Sequence, residues 1–249
     1  MLSRALVVSP TASMGGAENS LLGLMAGLNR QRFQPLLLLP ERGPFRDRAD
    51  RLGIETVVMP LLLRFDQRHC LWRLPRLALS VLALVRLLRA RRIAVVHSNK
   101  LGVSFSVGLA ARLARLPTVL HVRDSGLEGL IPPWKGRLIA ALADRVVAVS
   151  GAAARSIGSA HPLVARKTMV SYTGVDLAAI DAVAPAPIRG ELRLPATAFL
   201  AGAVGRIEPG KGYHVLVDAA AALVPACPDL RVLVIGAPFA STDNAYAEA

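Results

Sequence analysis

The sequence predicts an α/β fold built on parallel sheets, and three observations predict it. Hydrophobic residues make up 53% of the chain and aromatic residues only 4%, so the core must consist mainly of Leu, Val, Ile and Ala, as in buried parallel strands and their covering helices. Short apolar runs alternate with segments of helical spacing. This alternation stops at residues 182–187, where two prolines stand among small residues as in a linker, and then restarts.

The chain begins with a predicted strand, a glycine loop and a helix. Residues 4–9 form an apolar run, Gly15 and Gly16 follow in the loop, and residues 17–29 have the apolar spacing of a helix. Glu18 falls in the first turn of this helix, where a carboxylate favours the positive end of the helix dipole. Helix capping and contact with a substrate are both open roles for Glu18.

The same alternation continues through the first three quarters of the chain. Further strands are predicted at residues 33–39, 54–59, 93–97, 118–122, 144–150 and 167–170. The helices between them are predicted at residues 44–52 and 74–91, in a segment ending near Arg115, in one ending at Leu142, and after Ser150. We expect the Ser150 hydroxyl to cap the helix that follows it.

Basic residues dominate the charge of the chain. The net charge is +13, and the segment between positions 41 and 92 contains 12 Arg and only five acidic residues. This segment includes a predicted basic loop at 60–72. Such a balance suits anionic partners, namely phosphates, an acidic membrane surface or nucleic acid. The predicted helix 74–91 has an apolar stripe with arginine flanks, so it either lies on an acidic membrane or packs on the sheet. No recognition-helix motif or aromatic stacking platform supports nucleic-acid binding, which we do not expect.

Targeting and redox signals point to the cytoplasm. No apolar run reaches the ~18 residues of a spanning helix, and residues 1–8 are too short for a signal peptide. Cys70 and Cys227 stand far apart without metal-ligand spacing, so neither a disulfide nor a metal site is expected. We therefore expect a cytoplasmic protein, with peripheral binding to the inner membrane face as an open addition.

Two segments are candidate functional sites. His121, Arg123 and Asp124 come at the carboxyl end of a predicted parallel strand, where open α/β sheets bind ligands. The loop at 205–212 lies between the predicted strand 199–204 and helix 213–224, and it contains Arg206 and Lys211. Free N–H groups and two cations there favour a phosphate. A solvated loop with two surface cations is the alternative.

The segment after the linker starts a second domain without finishing it. One helix and two strands, 199–204 and 230–235, cannot bury both faces of a sheet. We therefore divide the chain into a first domain at 1–181, a linker at 182–195 and an incomplete second domain at 196–249.

Four motifs occur in an order that resembles one enzyme family. They are MGGAE at 14–18, DRVVAVS at 144–150, VSYTGVD at 170–176 and GRIEPGKG at 205–212. Together they resemble the glycosyltransferases of family 4, which have the GT-B fold of two Rossmann-like domains. The resemblance covers essentially the whole chain and the first half to two thirds of a family member.

The resemblance implies an activity and a set of site residues. The first domain would be the complete acceptor-side domain, and residues 196–249 the first βαβ unit of the nucleotide-sugar-binding domain. A sugar would pass from a nucleotide-diphosphate donor to a lipid-linked or polysaccharide acceptor, with retained configuration and without metal or cofactor. His121 matches the family's active-site histidine. The donor phosphates are expected at Gly15, Gly16, Arg206 and Lys211, and the acceptor or cleft residues are Glu18, Arg123 and Asp124.

Two departures from the family pattern affect these expectations. Thr173 stands where Asn is usual before Gly-Val-Asp, and Asn tolerates a left-handed backbone better than Thr. The family's acidic E-x7-E motif would lie beyond Ala249, so we expect a truncated transferase that is weakly active or inactive alone. The alternative is a non-catalytic half, binding acceptor or membrane, that needs a separate donor-binding chain.

Overall fold

The computed structural model describes residues 2–59 and 74–238. The predicted basic loop at 60–72 and the end of the chain from 239 lie outside these residues. The chain divides into two compact units, Met1–Asp176 and Leu177–Ala249.

A parallel sheet of seven strands forms the centre of the first unit. Its strand order is β3-β2-β1-β4-β5-β6-β7, and every neighbouring pair is parallel. The predicted α/β fold is thereby confirmed. The strands are β1 (Ser3–Val8), β2 (Phe33–Leu39), β3 (Glu55–Val58), β4 (Ile93–Ser98), β5 (Thr118–Val122), β6 (Arg145–Ala148) and β7 (Thr168–Val170).

Helices cover both faces of this sheet. They are α1 (Gly16–Ala26), α2 (Pro44–Arg51), α3 (Leu74–Ala90), α4 (Leu101–Leu113), α5 (Pro133–Leu142), α6 (Gly151–Gly158) and α7 (Pro162–Lys167). Val7 and Leu37 pack with α1 and α2, whereas Leu6 and Leu36 pack with α3 and α4 on the other face. Alternate side chains of each strand thus reach opposite faces, because the side-chain period of a strand is two.

The helix α3 packs its apolar stripe on the sheet. Val81, Leu84, Val85 and Leu88 are buried in the cluster that includes β1 and β2. Of the two alternatives for this helix, the structure shows packing on the sheet, because that stripe is covered. No helix within the two described ranges has both the length and the apolar content required to cross a bilayer.

Local signals in the sequence account for some helix boundaries and not for others. The Ser150 hydroxyl accepts a hydrogen bond of 3.1 Å from the Ala153 N–H, which confirms the predicted cap of α6. The short helices α7, α8 (Leu177–Asp181) and α9 (Ile188–Glu191) were not predicted. Segments of four to six residues contain too few turns to show an apolar period.

The second unit contains a strand, a loop, a helix and a strand in the predicted order. β8 (Phe199–Val204) pairs in parallel with β9 (Leu230–Ile235), and α10 (Tyr213–Leu223) lies between them in sequence. Phe199 and Val204 are exposed. A two-stranded sheet with one helix leaves such side chains uncovered.

Candidate functional site

Polar side chains converge where β1, β4 and β5 end in the first unit. The loop before α1, the segment between β4 and α4, and the residues after β5 all meet at this edge. The Asn99 N–H donates to the Val8 carbonyl oxygen at 3.0 Å, which fixes the segment after β4 beside the end of β1. This is the edge at which an open parallel sheet offers a ligand site.

Glu18 is paired with a lysine from a neighbouring helix start. Glu18 is 4% exposed, and its Oε1 lies 3.1 Å from Nζ of Lys100, which precedes α4. The residue before α1 is Gly15, and no side chain caps that helix by a hydrogen bond. Glu18 therefore joins α1 to α4 through an ion pair, rather than capping α1 by a hydrogen bond.

The two glycines before Glu18 stand in different surroundings. A Cβ on Gly15 would lie 2.9 Å from Glu18 Oε2, whereas a Cβ on Gly16 would meet nothing within 4 Å. Gly15 thus leaves room for the buried carboxylate. Gly16 borders open space, so its lack of a side chain leaves the backbone accessible to a ligand.

Arg123 is held by neutral partners from two other elements. Its Nε donates to Asn99 Oδ1 at 2.8 Å, and its Nη1 donates to Ser20 Oγ of α1 at 2.9 Å. Nη2 is buried without a hydrogen-bond partner. Burial lowers the pKa of Arg123, while the carboxylates of Glu18 and Asp124 act in the opposite direction.

His121 lies against a second histidine on the adjacent strand. His97 Nε2 and His121 Nδ1 are 3.2 Å apart, and His121 Nε2 is buried without a partner. Burial, followed by the charge of Arg123, lowers the pKa of His97 to about 4. The same two causes, with His97 as a third, lower the pKa of His121 to about 3. Both imidazoles are therefore neutral at pH 7, so His121 can donate or accept a hydrogen bond but does not provide a positive charge.

The first unit thus brings together most of the residues predicted for it. Gly15, Gly16 and Glu18 lie at the start of α1, whose Ser20 bonds Arg123, and the charge of Arg123 acts on His121. Asp124 is exposed, and its charge acts on the buried guanidinium of Arg123. Among the described residues, no group of three or more His, Cys, Asp or Glu side chains is arranged to hold a metal ion.

The second predicted phosphate loop lies in the second unit. Arg206 Nη2 is 3.0 Å from Glu208 Oε1, and residues Pro209–Lys211 form one turn of 3-10 helix before α10. Gly212 precedes α10 with φ of 72°, a backbone conformation that favours glycine. A Cβ on Gly236 would lie 1.8 Å from the Gly205 carbonyl oxygen. The backbone at the ends of β8 and β9 thus approaches too closely for a side chain at position 236.

Sequence reasoning missed four residues of the first site. His97, Asn99 and Lys100 belong to the polar run that ends β4, and Ser20 lies on α1. The available signal was the polar run itself, directly after an apolar strand. Its importance emerges only when β4 is known to pair with β5, because that pairing places His97 beside His121.

Comparison with known proteins identifies a family for the chain. The family model described as Glycosyltransferase Family 4 matches residues 14–179, which is more than half of the chain. A D-inositol 3-phosphate glycosyltransferase of Kineococcus radiotolerans is 37% identical over 138 residues, covering 50% of this chain and 31% of the relative. The protein of the same name from Actinosynnema mirum is 36% identical over 107 residues, covering 41% of this chain and 26% of the relative. The matched segments thus span about a third or less of the curated relatives.

Solved structures share the fold over nearly the whole chain. The Anabaena HepE structure in complex with UDP-glucose has a TM-score of 0.75 and 25% identity, and the alignment covers 98% of this chain and 63% of that protein. A glycosyltransferase from Rickettsia africae has a TM-score of 0.78 at 17% identity, covering 99% of this chain and 63% of that protein. These likenesses confirm the expected GT-B type of fold. With the family match at residues 14–179, they lead to one conclusion: the chain belongs to glycosyltransferase family 4.

Proposed function

We propose that the chain takes part in the transfer of a sugar from a nucleotide-diphosphate donor to a lipid-linked or polysaccharide acceptor. Residues 1–181 would form the acceptor-side domain, 182–195 a linker, and 196–249 the start of the donor-binding domain. The single observation that supports this most is the cluster of His121, His97 and Arg123 at the ligand-binding edge of the seven-stranded sheet. The three residues fall within positions 14–179, which the family model matches, and this supports the proposal.

A nucleotide-sugar donor is supported from the second unit. The loop of Arg206 and Lys211 precedes α10, whose first N–H groups suit an anion. Two cations at a leaving nucleoside diphosphate stabilise its charge as the glycosidic bond breaks, so the reaction would need no metal. The similar Anabaena protein has been solved with UDP-glucose, which makes a UDP-sugar the first donor to try.

His121 would contact the transferred sugar or the acceptor. Its Nδ1 faces His97, and its buried Nε2 has no hydrogen-bond partner among the described residues. A neutral imidazole can donate to, or accept from, a sugar hydroxyl without adding charge. The reaction would retain the configuration at the transferred carbon, as the family resemblance implies.

We further propose a cytoplasmic location, with the basic segment between residues 41 and 92 contacting an anionic membrane surface.

A transfer assay tests this proposal. The chain is incubated with isotope-labelled UDP-glucose or a GDP-sugar and candidate acceptors, and both the nucleoside diphosphate and the labelled product are measured. NMR of the product's anomeric proton reports the configuration. His121→Ala is expected to lower the rate about a hundredfold or more. The control is His161→Ala, because His161 caps α7 through the Leu163 N–H and lies outside the cluster.

The outcome also separates the proposal from its alternative. Transfer that depends on His121 supports an enzyme. Acceptor binding without any release of nucleoside diphosphate, restored to transfer by a separate donor-binding chain, supports the non-catalytic half instead. Equal rates for His121→Ala and His161→Ala would contradict the assigned role of His121.

A further inference from the structure

Exposed arginines gather at the edge of the seven-stranded sheet that lies opposite the ligand-binding edge. Because all seven strands are parallel, the residues just before each strand lie at one edge, which we call the amino edge. The Ser3 N–H donates to the Arg32 carbonyl oxygen at 2.9 Å, so the segment before β2 lies beside the start of β1. The exposed arginines of the amino edge include Arg30, Arg32, Arg51, Arg92, Arg112, Arg115 and Arg145.

The acidic residues near the amino edge are engaged within the fold. Glu55 forms ion pairs with Arg4 and Arg91. Asp50 is paired within α2, and the Asp144 carboxylate accepts a hydrogen bond of 2.8 Å from the first N–H of β5. These carboxylates offset the positive charge of the amino edge only in part, so this surface suits an anionic partner.

Two of these arginines have a backbone conformation that costs stability. Arg92 follows α3 with φ of 50°, and Arg115 follows α4 with φ of 59°. Glycine is the usual residue at such a position after a helix, because a side chain is unfavourable in the left-handed region. An arginine there lowers stability relative to glycine and places a long cation at the amino edge. Strain of this kind is typical of positions whose side chain has a function.

Exposed leucines lie among the arginines. Leu52 follows Arg51 after α2 and is 47% exposed, and Leu113 follows Arg112 at the end of α4 and is 52% exposed. Contact with water is unfavourable for a leucine side chain, whereas the headgroup boundary of a bilayer accepts both leucines and cations. A nucleic acid backbone would engage the arginines alone. The mixture therefore favours a lipid surface as the partner.

We propose that the amino edge docks the protein on an anionic lipid bilayer, with its arginines at the lipid phosphates and Leu52 and Leu113 at the headgroup boundary. The inference rests on the proposed function for the membrane as a partner, and it assigns the contact to a defined surface. That surface joins Arg51 and Arg92 to arginines from outside residues 41–92. The two edges of the sheet are about 20 Å apart for the six residues of β1, so docking at the amino edge leaves the ligand-binding edge open to substrates.

The test measures cosedimentation of the full chain with lipid vesicles. Vesicles of phosphatidylcholine alone are compared with vesicles that also contain phosphatidylglycerol, at constant ionic strength, and we expect binding to the anionic vesicles only. Arg92→Gly and Arg115→Gly, introduced together, should lower the partition coefficient about fivefold for each arginine. The thermal midpoint should stay equal or rise, because glycine removes the backbone strain. A purely structural role of these arginines would not weaken binding in a variant that is at least as stable.

Two further double variants assign the binding to the amino edge. Arg42→Gln with Arg137→Gln removes two exposed charges from the loop after β2 and from α5, which follows β5. It lowers the net charge by the same amount as the glycine pair and should change binding little. Leu52→Gln with Leu113→Gln keeps every charge and should weaken vesicle binding, because the apolar contact with the bilayer is lost.

Each outcome decides the inference. Weaker binding in the glycine and leucine pairs, with the control pair unaffected, supports it. No binding to anionic vesicles, or equal losses in the glycine pair and the control pair, would overturn it. Binding that the leucine pair leaves intact and that a DNA duplex competes away would also overturn it, in favour of a nucleic acid. No nucleotide-sugar is present in this measurement, so a failed transfer assay and failed vesicle binding remain separate results.

Discussion

His97 and His121 contact each other through their ring nitrogens across two neighbouring strands. Nε2 of His97 and Nδ1 of His121 are 3.2 Å apart, with ring centroids at 5.3 Å and an angle of 25° between the ring planes. Both rings are neutral at pH 7 because burial lowers both pKa values. One shared N–H therefore joins the rings, and protonating either ring places a positive charge beside the other and beside Arg123.

The burial of His97 predicts a loss of stability in acid. Burial lowers the pKa of His97 to about 4 in the folded chain, from its ordinary value of 6.5, so the unfolded chain binds more protons between these values. Stability must fall as the pH falls from 6.5 towards 4. The difference between the folded and unfolded pKa of His97 corresponds to roughly 3 kcal/mol for this one group. Urea unfolding measures the drop in unfolding free energy from pH 7.0 to pH 4.5. This drop should be smaller for His97→Gln than for the natural sequence. Identical losses would contradict the assignment.

His97 should also affect transfer through the orientation of His121. Replacement by Leu removes the hydrogen bond to His121 Nδ1, so we expect kcat to fall about tenfold while KM stays within about a factor of two. Replacement by Gln, whose amide can again reach Nδ1, should restore much of the rate. A change confined to KM, or no recovery in the Gln variant, would show that His97 acts otherwise.

Replacing Gly15 by alanine and replacing Gly16 by alanine should have different effects on the protein. Gly15→Ala places a Cβ 2.9 Å from Glu18 Oε2, so the carboxylate must shift, and we expect a loss of about 1 kcal/mol in unfolding free energy. Gly16→Ala meets nothing within 4 Å and should leave stability nearly unchanged. If the backbone at Gly16 lies close to the bound donor, Gly16→Ala should instead weaken UDP-glucose binding. Thermal melts and calorimetry on both variants separate the two effects.

Lys167 stabilises the end of α5. Its Nζ donates to the carbonyl oxygens of Ala140 at 2.6 Å and Ala143 at 2.8 Å, which are acceptors left free at a helix terminus. Lys167→Met should cost about 1–3 kcal/mol in unfolding free energy. Arg166→Met, at the exposed neighbouring position, is the matched control and should change little. Equal urea midpoints for the two variants would rule out this role.

The sequence predicted the strands well because their apolar runs are continuous. β2, β5, β8 and β9 have the predicted bounds, as expected of strands whose limits are set by an abrupt change in hydrophobicity. His121 was singled out because it lies near the carboxyl end of such a strand and matches the family's active-site histidine. His97 and Asn99 were not, because their proximity to His121 and Arg123 results from pairing between β4 and β5. Contacts across strands depend on register, which local periodicity does not specify.

The most direct test of the central claim is calorimetric titration of the chain with UDP, GDP, and UDP- and GDP-sugars. The account predicts saturable binding of a nucleotide or nucleotide-sugar that Arg206→Ala or Lys211→Ala abolishes, since these cations would hold the diphosphate. Arg30→Ala, which removes an exposed charge of the first unit, should leave the affinity unchanged. Absence of saturable binding by a folded chain, or binding that survives both loop substitutions, would contradict the donor site proposed here.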